Sequence, residues 1–387
     1  MSPATLRPLR IAMLTHSTNP RGAVVHSMQL SEALTALGHE VVLFAPDARG
    51  QGFFRSPTCG AVAFPVGPAL AQTTAMVEQR IADYVRHFEG SSRSFDLYHA
   101  HDGISGNALA TLKHRGLVPG FVRTVHHIDQ FTDPRLMALQ DRSINEADVF
   151  LTVSATWRDV LKERGISASI VGNGVDIDRF SPAWSGEQTA LRDRLQIPPG
   201  PIFLAIGGVE ARKNTIGILD AFHQLLAVTP DAQLVIAGGA SLLDHDAYQD
   251  EFRSELAMLH DDAAAVHLIG PVADEDMPNL YRLADCLVFP SLKEGFGLVV
   301  LEAMASGVPV VTSSIAPFTE YLGPDDVLWC HPLHSASIAE AMALALVPPV
   351  RERVISNGLA IARRFSWQRV AAAHSTAYSA IKEAANA

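Results

Sequence analysis

The sequence predicts an α/β protein made of two doubly wound, parallel-sheet domains. Three observations carry that expectation. Runs of buried-strand character alternate with segments of helical periodicity along most of the chain. The alternation stops at a proline-rich break, 181–201, and then begins again. At 387 residues the chain also exceeds one ordinary domain, and two domains of about 150–200 residues are the natural expectation. The expected division is 1–182, 183–365 and a closing helix, 366–387, that crosses back to the first domain.

The elements follow in order. Strand 9–15 is apolar, and Val24, Val25, Met28, Leu30, Leu34 and Leu37 then recur at helical spacing up to Gly38, placed to stop the helix. Strand 40–45 ends at Pro46. Strands 95–100, 121–125, 149–153 and 167–171 follow, with helices near 104–115, 134–147 and 155–165 between them. Past the break and its short polar helix, strands are expected at 202–206, 233–237, 266–269, 286–289, 308–311 and 327–329. Residues 335–387 read as helices only. Open α/β sheets bind ligands at the carboxyl ends of their strands, so two such sheets with a cleft between them suit an enzyme with two substrates.

Composition narrows the class. Hydrophobic residues make up 48% and charged residues 18%, which suits buried cores and not disorder. No window holds 18 uninterrupted apolar residues, so no transmembrane helix is expected. The run 11–14 is too brief for a secretory core and reads as a first strand. Cys59, Cys286 and Cys330 are odd in number and lack paired spacing, so neither a disulfide framework nor a zinc site is indicated. A cytoplasmic location is the expectation. The net charge of −11 is uneven: 17 basic and 17 acidic residues precede residue 186, and 13 basic against 24 acidic follow. Nucleic acid or anionic lipid normally calls for a basic cluster, and none is visible.

The chemistry concentrates in two loops of the second domain. Residues 290–309 read as strand end, loop, helix, helix stop and strand. Gly295 and Gly297 allow a sharp turn, Leu298 and Val299 open a helix whose free N–H groups favour phosphate, and Gly307 fits a left-handed cap. Glu294 precedes that helix. Glu302 lies on it in the apolar run Val-Val-Leu-Glu-Ala-Met-Ala, where a carboxylate needs a partner. In Gly207-Gly208-Val209-Glu210-Ala211-Arg212-Lys213-Asn214 two adjacent cations follow a strand. Arg212 can grip a diphosphate bidentately, and Lys213 acts as a point charge.

These residues resemble a known family. Glu294 and Glu302, with Glu-Gly-Phe-Gly-Leu and Glu-Ala-Met-Ala-Ser-Gly-Val-Pro-Val around them, are similar to the signature of retaining family 4 glycosyltransferases of bacterial type. The resemblance extends through Asn173-Gly174-Val175-Asp176 and Arg212-Lys213-Asn214 to Phe365-Ser366-Trp367. It implies the GT-B fold: two Rossmann-like domains facing across a cleft, the second binding the nucleotide sugar. By the same resemblance Glu294 contacts donor-sugar hydroxyls and Glu302 the ribose, while Lys213 and amides around Phe296, Gly297, Leu298 and Val299 hold the diphosphate. Two positions depart from the family pattern. Gly208 stands where arginine is usual, which leaves Arg212 or another residue to supply the missing charge. Arg21 stands beside Gly22 where a second glycine is usual, in a loop that the resemblance places at the donor phosphates.

The first domain contributes polar strand ends: Thr15-His16 after one strand, His99 to Gly103 at another, and Thr124 to Asp129 after a third. Parallel strands bring all three to one edge. His16, His101, Asp102, His126 and His127 are the acceptor-side candidates, and the resemblance sets His126 beside the reacting sugar. Histidines with Asp102 could also ligate a metal, but the resemblance implies a fold that needs none. The expectation is no metal and no cofactor beyond the nucleotide sugar as co-substrate.

The expected reaction, as the resemblance implies, is retaining hexosyl transfer from a UDP-, GDP- or ADP-sugar by front-face substitution. His126, Glu294 and Lys213 are the catalytic candidates, and the expected acceptor is small, polar and soluble. The alternative on the same architecture is a nucleotide-sugar epimerase or a sugar phosphorylase. A nicotinamide dehydrogenase is disfavoured, since 15–22 lacks Gly-x-Gly-x-x-Gly and no P-loop occurs.

Overall fold

The computed structural model describes residues 8–239 and 246–386; the N-terminal segment read as preceding the first strand lies largely outside them. The described chain forms two compact units. One takes residues up to Asn173 together with those from Trp367, and the other takes Gly174–Ser366.

The first unit holds seven strands: β1 (Arg10–Leu14), β2 (Glu40–Asp47), β3 (Gly60–Pro65), β4 (Leu97–Ala100), β5 (Val122–Val125), β6 (Val149–Thr152) and β7 (Ala168–Ile170). Its helices are α1 (Gly22–Ala36), α2 (Thr73–Glu89), α3 (Gly103–His114), α4 (Pro134–Asn145) and α5 (Ala155–Glu163). The sheet runs β3-β2-β1-β4-β5-β6-β7, and each described pairing is parallel, as between β1 and β4 and between β4 and β5. Near-continuous apolar strands such as Ile-Ala-Met-Leu of β1 are buried on both faces, as a parallel sheet covered by helices requires. Tyr84 of α2 is fully buried, and its hydroxyl donates to the Thr15 and Phe44 carbonyls at 2.6 and 2.7 Å. It thereby ties the end of β1 to the middle of β2.

The second unit holds β8 (Ile202–Ile206), β9 (Gln233–Ala237), β10 (Val266–Gly270), β11 (Cys286–Phe289), β12 (Val310–Ser313) and β13 (Leu328–Cys330) in the order β10-β9-β8-β11-β12-β13. Its helices are α6 (Glu187–Arg194), α7 (Thr215–Leu226), α8 (Asp246–Met258), α9 (Met277–Leu283), α10 (Leu298–Ala305), α11 (Phe318–Tyr321), α12 (Ser335–Leu344) and α13 (Pro348–Ala362). Phe203, Phe222, Leu225, Val288 and Met342 lie in its core. The last helix, α14 (Trp367–Asn386), belongs to the first unit and packs on α1.

Three departures from the sequence reading have physical causes. β3 was not expected; it is an edge strand, largely exposed along one side and ended by Pro65, and such strands carry little burial signal. β12 starts at Val310 and not Val308, because the Val308 amide still bonds back to Ala303 at the end of α10 and Pro309 has no N–H to give. The first unit ends at Asn173 and not 182. Residues after it are tied into the second unit: the Val175 amide donates to the Phe365 carbonyl at 2.8 Å, and Arg282 bonds the Ser181 carbonyl at 2.7 Å.

Candidate functional site

In each sheet the strand order reverses direction at its first strand, between β1 and β4 and between β8 and β11. Loops diverge at such a point and leave a crevice for ligand. The sequence-derived residues sit at both reversals.

In the second unit the loop after β8 and the loop after β11 meet. Lys213 Nζ donates to Glu294 Oε1 at 2.5 Å, and Arg212 donates to the same oxygen at 2.6 Å. Ser291 adds a longer hydroxyl bond, 3.3 Å. The loops are also joined through their backbones, since the Leu292 amide donates to the Arg212 carbonyl at 2.9 Å. Lys213 Nζ lies 4.2 Å from the centre of the Phe289 ring. Burial pulls the Lys213 ammonium down from its ordinary range, and Glu294 is the main opposing influence. Gly207 gives the lysine room: a Cβ there would stand 2.9 Å from Lys213 Cε. Gly208 has φ 73°, a left-handed backbone that disfavours the arginine usual in the family pattern.

The second carboxylate has its own partner. Glu302 Oε2 accepts from the Tyr281 hydroxyl at 2.6 Å, which meets the demand that its apolar helix creates. Burial pushes the Glu302 carboxyl up, while Tyr281 and Arg179 pull it down. Between the two glutamates the chain turns at Gly297, where φ is 94°. A Cβ there would stand 2.5 Å from the buried Phe318 ring. Gly295 does not take a positive φ, so one glycine, not both, makes the left-handed turn. Phe296 stacks on Tyr321 with ring centres 4.8 Å apart, and the Tyr321 hydroxyl donates to the Phe296 carbonyl at 3.1 Å. No side chain caps the start of α10, which leaves the amides at Leu298 and Val299 in the first turn, where helical N–H groups lack intrahelical partners.

In the first unit the edge carries a histidine cluster. His101 Nδ1 lies 3.2 Å from His126 Nε2. His26 packs against both rings, with centres 5.3 and 4.7 Å away. Burial pulls His101 and His126 well below the ordinary imidazole range, and neighbouring imidazoles add to this. Asp102 has two tasks: Oδ1 accepts from the Ser105 amide at 2.8 Å as the cap of α3, and Oδ2 faces His16 Nδ1 at 3.6 Å. His127 does not join the group. It is exposed and pairs with Asp129 at 3.2 Å. His99 lies inside β4, held by Tyr378 and Thr124 at 2.7 Å each, which is a structural role. Gly22 opens α1, and a Cβ there would meet nothing within 4 Å.

Residues 187–359 match the family model described as "Glycosyl transferases group 1", and 20–179 match "Glycosyltransferase Family 4". An O-antigen chain mannosyltransferase B of Escherichia coli is 31% identical over 64% of this chain and 67% of its own length. The chain belongs to glycosyltransferase family 4. A glycogen synthase of Mycobacterium tuberculosis is 28% identical over 97% of this chain and 95% of its own. The solved structure of HepE from Anabaena with UDP-glucose superposes with a TM-score of 0.75 at 19% identity, covering 96% and 100% of the two chains. The fold is GT-B.

In this glycosyltransferase several site residues escaped sequence reasoning. Tyr281 lies on α9, and nothing in its spacing links it to Glu302. Glu210 is buried and stands 3.7 Å from Arg212; its place beside two cations was the available signal. His26 falls among the buried positions Val24, Ser27, Met28 and Leu30 of α1. A histidine on that stripe was the clue. Arg123 is a buried cation within β5, pulled to about 10 by burial and held up by Asp102.

Proposed function

We propose that this enzyme moves a hexosyl group, with retention of anomeric configuration, from a nucleoside diphosphate sugar to a small polar acceptor in the cytoplasm. The observation that carries the donor half is the convergence of Lys213, Arg212 and Glu294 at the strand reversal of the second unit. Two cations share one carboxylate there, and a diphosphate can compete for both. HepE with UDP-glucose in the same fold supports a nucleotide-sugar donor.

The geometry favours front-face substitution without a protein nucleophile. Glu294 Oε1 already accepts two charge-assisted bonds, which lowers its nucleophilicity and suits it to orient hydroxyls. As the donor bond breaks, negative charge grows on the leaving phosphate. Lys213, Arg212 and the start of α10 stabilise that charge, and the leaving oxygen takes the acceptor's proton. His126, held neutral by burial, aligns the sugar by hydrogen bonding, and Glu302 holds the ribose. The transfer step needs no metal, since fixed cations do that work. Among the described residues no helix is long and apolar enough to cross a membrane.

Thermal unfolding with a panel of UDP-, GDP- and ADP-sugars tests the donor half. Ligand at 100 times its Kd stabilises the fold by about 2.7 kcal/mol, a shift of a few degrees. One nucleotide class should raise the melting temperature, and Glu302→Ala should reduce the rise. No shift with any sugar nucleotide refutes the donor reading. Proton NMR of the product reads the anomeric outcome directly, and an inverted product refutes retention.

A further inference from the structure

Three imidazoles meet at the carboxyl edge of the first sheet. His26 comes from α1, His101 follows β4 and His126 follows β5. One ligating atom from each lies within 4.8 Å of the other two. The hydrogen bonds around them select which nitrogens face inward. His26 Nδ1 is taken by the Asn173 side-chain oxygen, so Nδ1 carries the proton and Nε2 presents its lone pair. That Nε2 is buried with no hydrogen-bond partner, although His26 itself is wholly buried. His101 Nε2 faces Met13 Sδ, a weak acceptor, which leaves His101 Nδ1 as the inward lone pair. His101 Nδ1 and His126 Nε2 stand 3.2 Å apart.

We propose that His26 Nε2, His101 Nδ1 and His126 Nε2 bind one zinc-type divalent transition-metal ion, with a fourth position open to water. Two nitrogens bound at about 2.0–2.1 Å to one tetrahedral ion lie about 3.3 Å apart, close to the His101–His126 separation. His26 Nε2, within 4.8 Å of both, must close by up to about 1.5 Å to reach the same range. Three neutral imidazoles suit zinc, copper or nickel over magnesium or calcium, which prefer oxygen. Asn173 acts as the outer partner that sets the His26 tautomer, as ligating histidines usually require. His126, partly exposed, gives the ion its entry. Binding requires the proton between His101 Nδ1 and His126 Nε2 to move from His126 Nε2 to its own Nδ1, so that both inward nitrogens present lone pairs. It also engages the His126 ring that the transfer reading sets beside the sugar, so the ion opposes transfer.

The test is a titration of the full-length, chelator-treated protein with Zn²⁺ by calorimetry, and with Co²⁺ by visible absorption. One equivalent should bind, with the intense visible band of four-coordinate cobalt. X-ray absorption of the zinc-loaded wild type should show three imidazole ligands, a readout that needs no variant. His26→Gln should weaken binding at least tenfold. His334→Ala should leave it unchanged, which separates this site from the stacked, exposed pair His331 and His334. Fewer than three imidazoles, undiminished binding in His26→Gln, or loss of binding in His334→Ala overturns the proposal. Metal binding is read without donor or acceptor, so its failure leaves the transferase reading standing.

Discussion

Glu294 joins the two donor loops: one carboxylate oxygen, itself buried, takes bonds from Lys213, Arg212 and Ser291. The electrostatics give a signed prediction. Burial lowers the Lys213 pKa, and the Glu294 charge raises it. In Glu294→Gln the larger raising influence goes, with only Glu210 left to raise it, and the burial stays, so Lys213 loses its proton at lower pH. A lysine-dependent rate should therefore show an alkaline limb displaced toward neutrality, read as kcat/KM against pH. An unmoved limb means that Lys213 does not govern the rate. Lys213→Ala should cost about 10²–10³ in kcat at saturating donor, the usual scale for removing one charge-stabilising donor. At this scale the sequence was half readable. Lys213, Arg212 and Glu294 stood out because charged residues gathered at predicted strand ends. Glu302 announced the need for a partner, but Tyr281 could not be named, since that contact exists only once α9 packs beside α10. His26 was missed because one buried histidine in an apolar helical stripe looks like packing until His101 and His126 arrive from other strands.

Among elements, the turn into α10 is tightly constrained. Gly297 combines φ 94° with a Cβ path blocked by Phe318, a fully buried ring. Gly297→Ala must strain the backbone and displace that ring together. The expected cost is about 1–3 kcal/mol, a drop of several degrees in melting temperature. Gly22→Ala in α1 meets open space and should leave the melting temperature within a degree or two. Scanning calorimetry on the pair checks both. Equal effects would show that glycine at 297 is not sterically required. The strand–loop–helix–strand order here was legible because each boundary has a local chemical cause: Gly297 for the turn, Gly307 for the cap, Pro309 after it. β3 has only Pro65 to mark its end. Its stability comes from pairing with β2 in register from Val42↔Gly60 to Asp47↔Pro65, a long-range cause that no local pattern records.

At the scale of the whole chain, the two units differ in how they are assembled. Gly174–Ser366 is continuous and encloses its own core. The first unit is completed only by α14, which arrives from the far end of the sequence. Trp367 packs edge-on to His26, Tyr378 bonds His99 inside β4, and Ser375 bonds His39 at 3.0 Å. Trp367, Val370, Ala371 and Tyr378 are all buried. Large apolar side chains contribute about 1.5–3 kcal/mol each on burial, and three of them approach the 5–15 kcal/mol that holds a whole domain. A chain ending at Ser366 should therefore keep a folded second unit and lose the first. Hydrogen exchange should show protected amides in β8, β9 and β11 but rapid exchange in β1, β4 and β5. The separate fragment 174–366 should unfold cooperatively in urea. A peptide of residues 367–386, added in excess to fragment 1–173, should restore protection to β4, because it returns the hydroxyl that His99 requires. If fragment 1–173 is protected without the peptide, α14 decorates a finished domain and does not complete it.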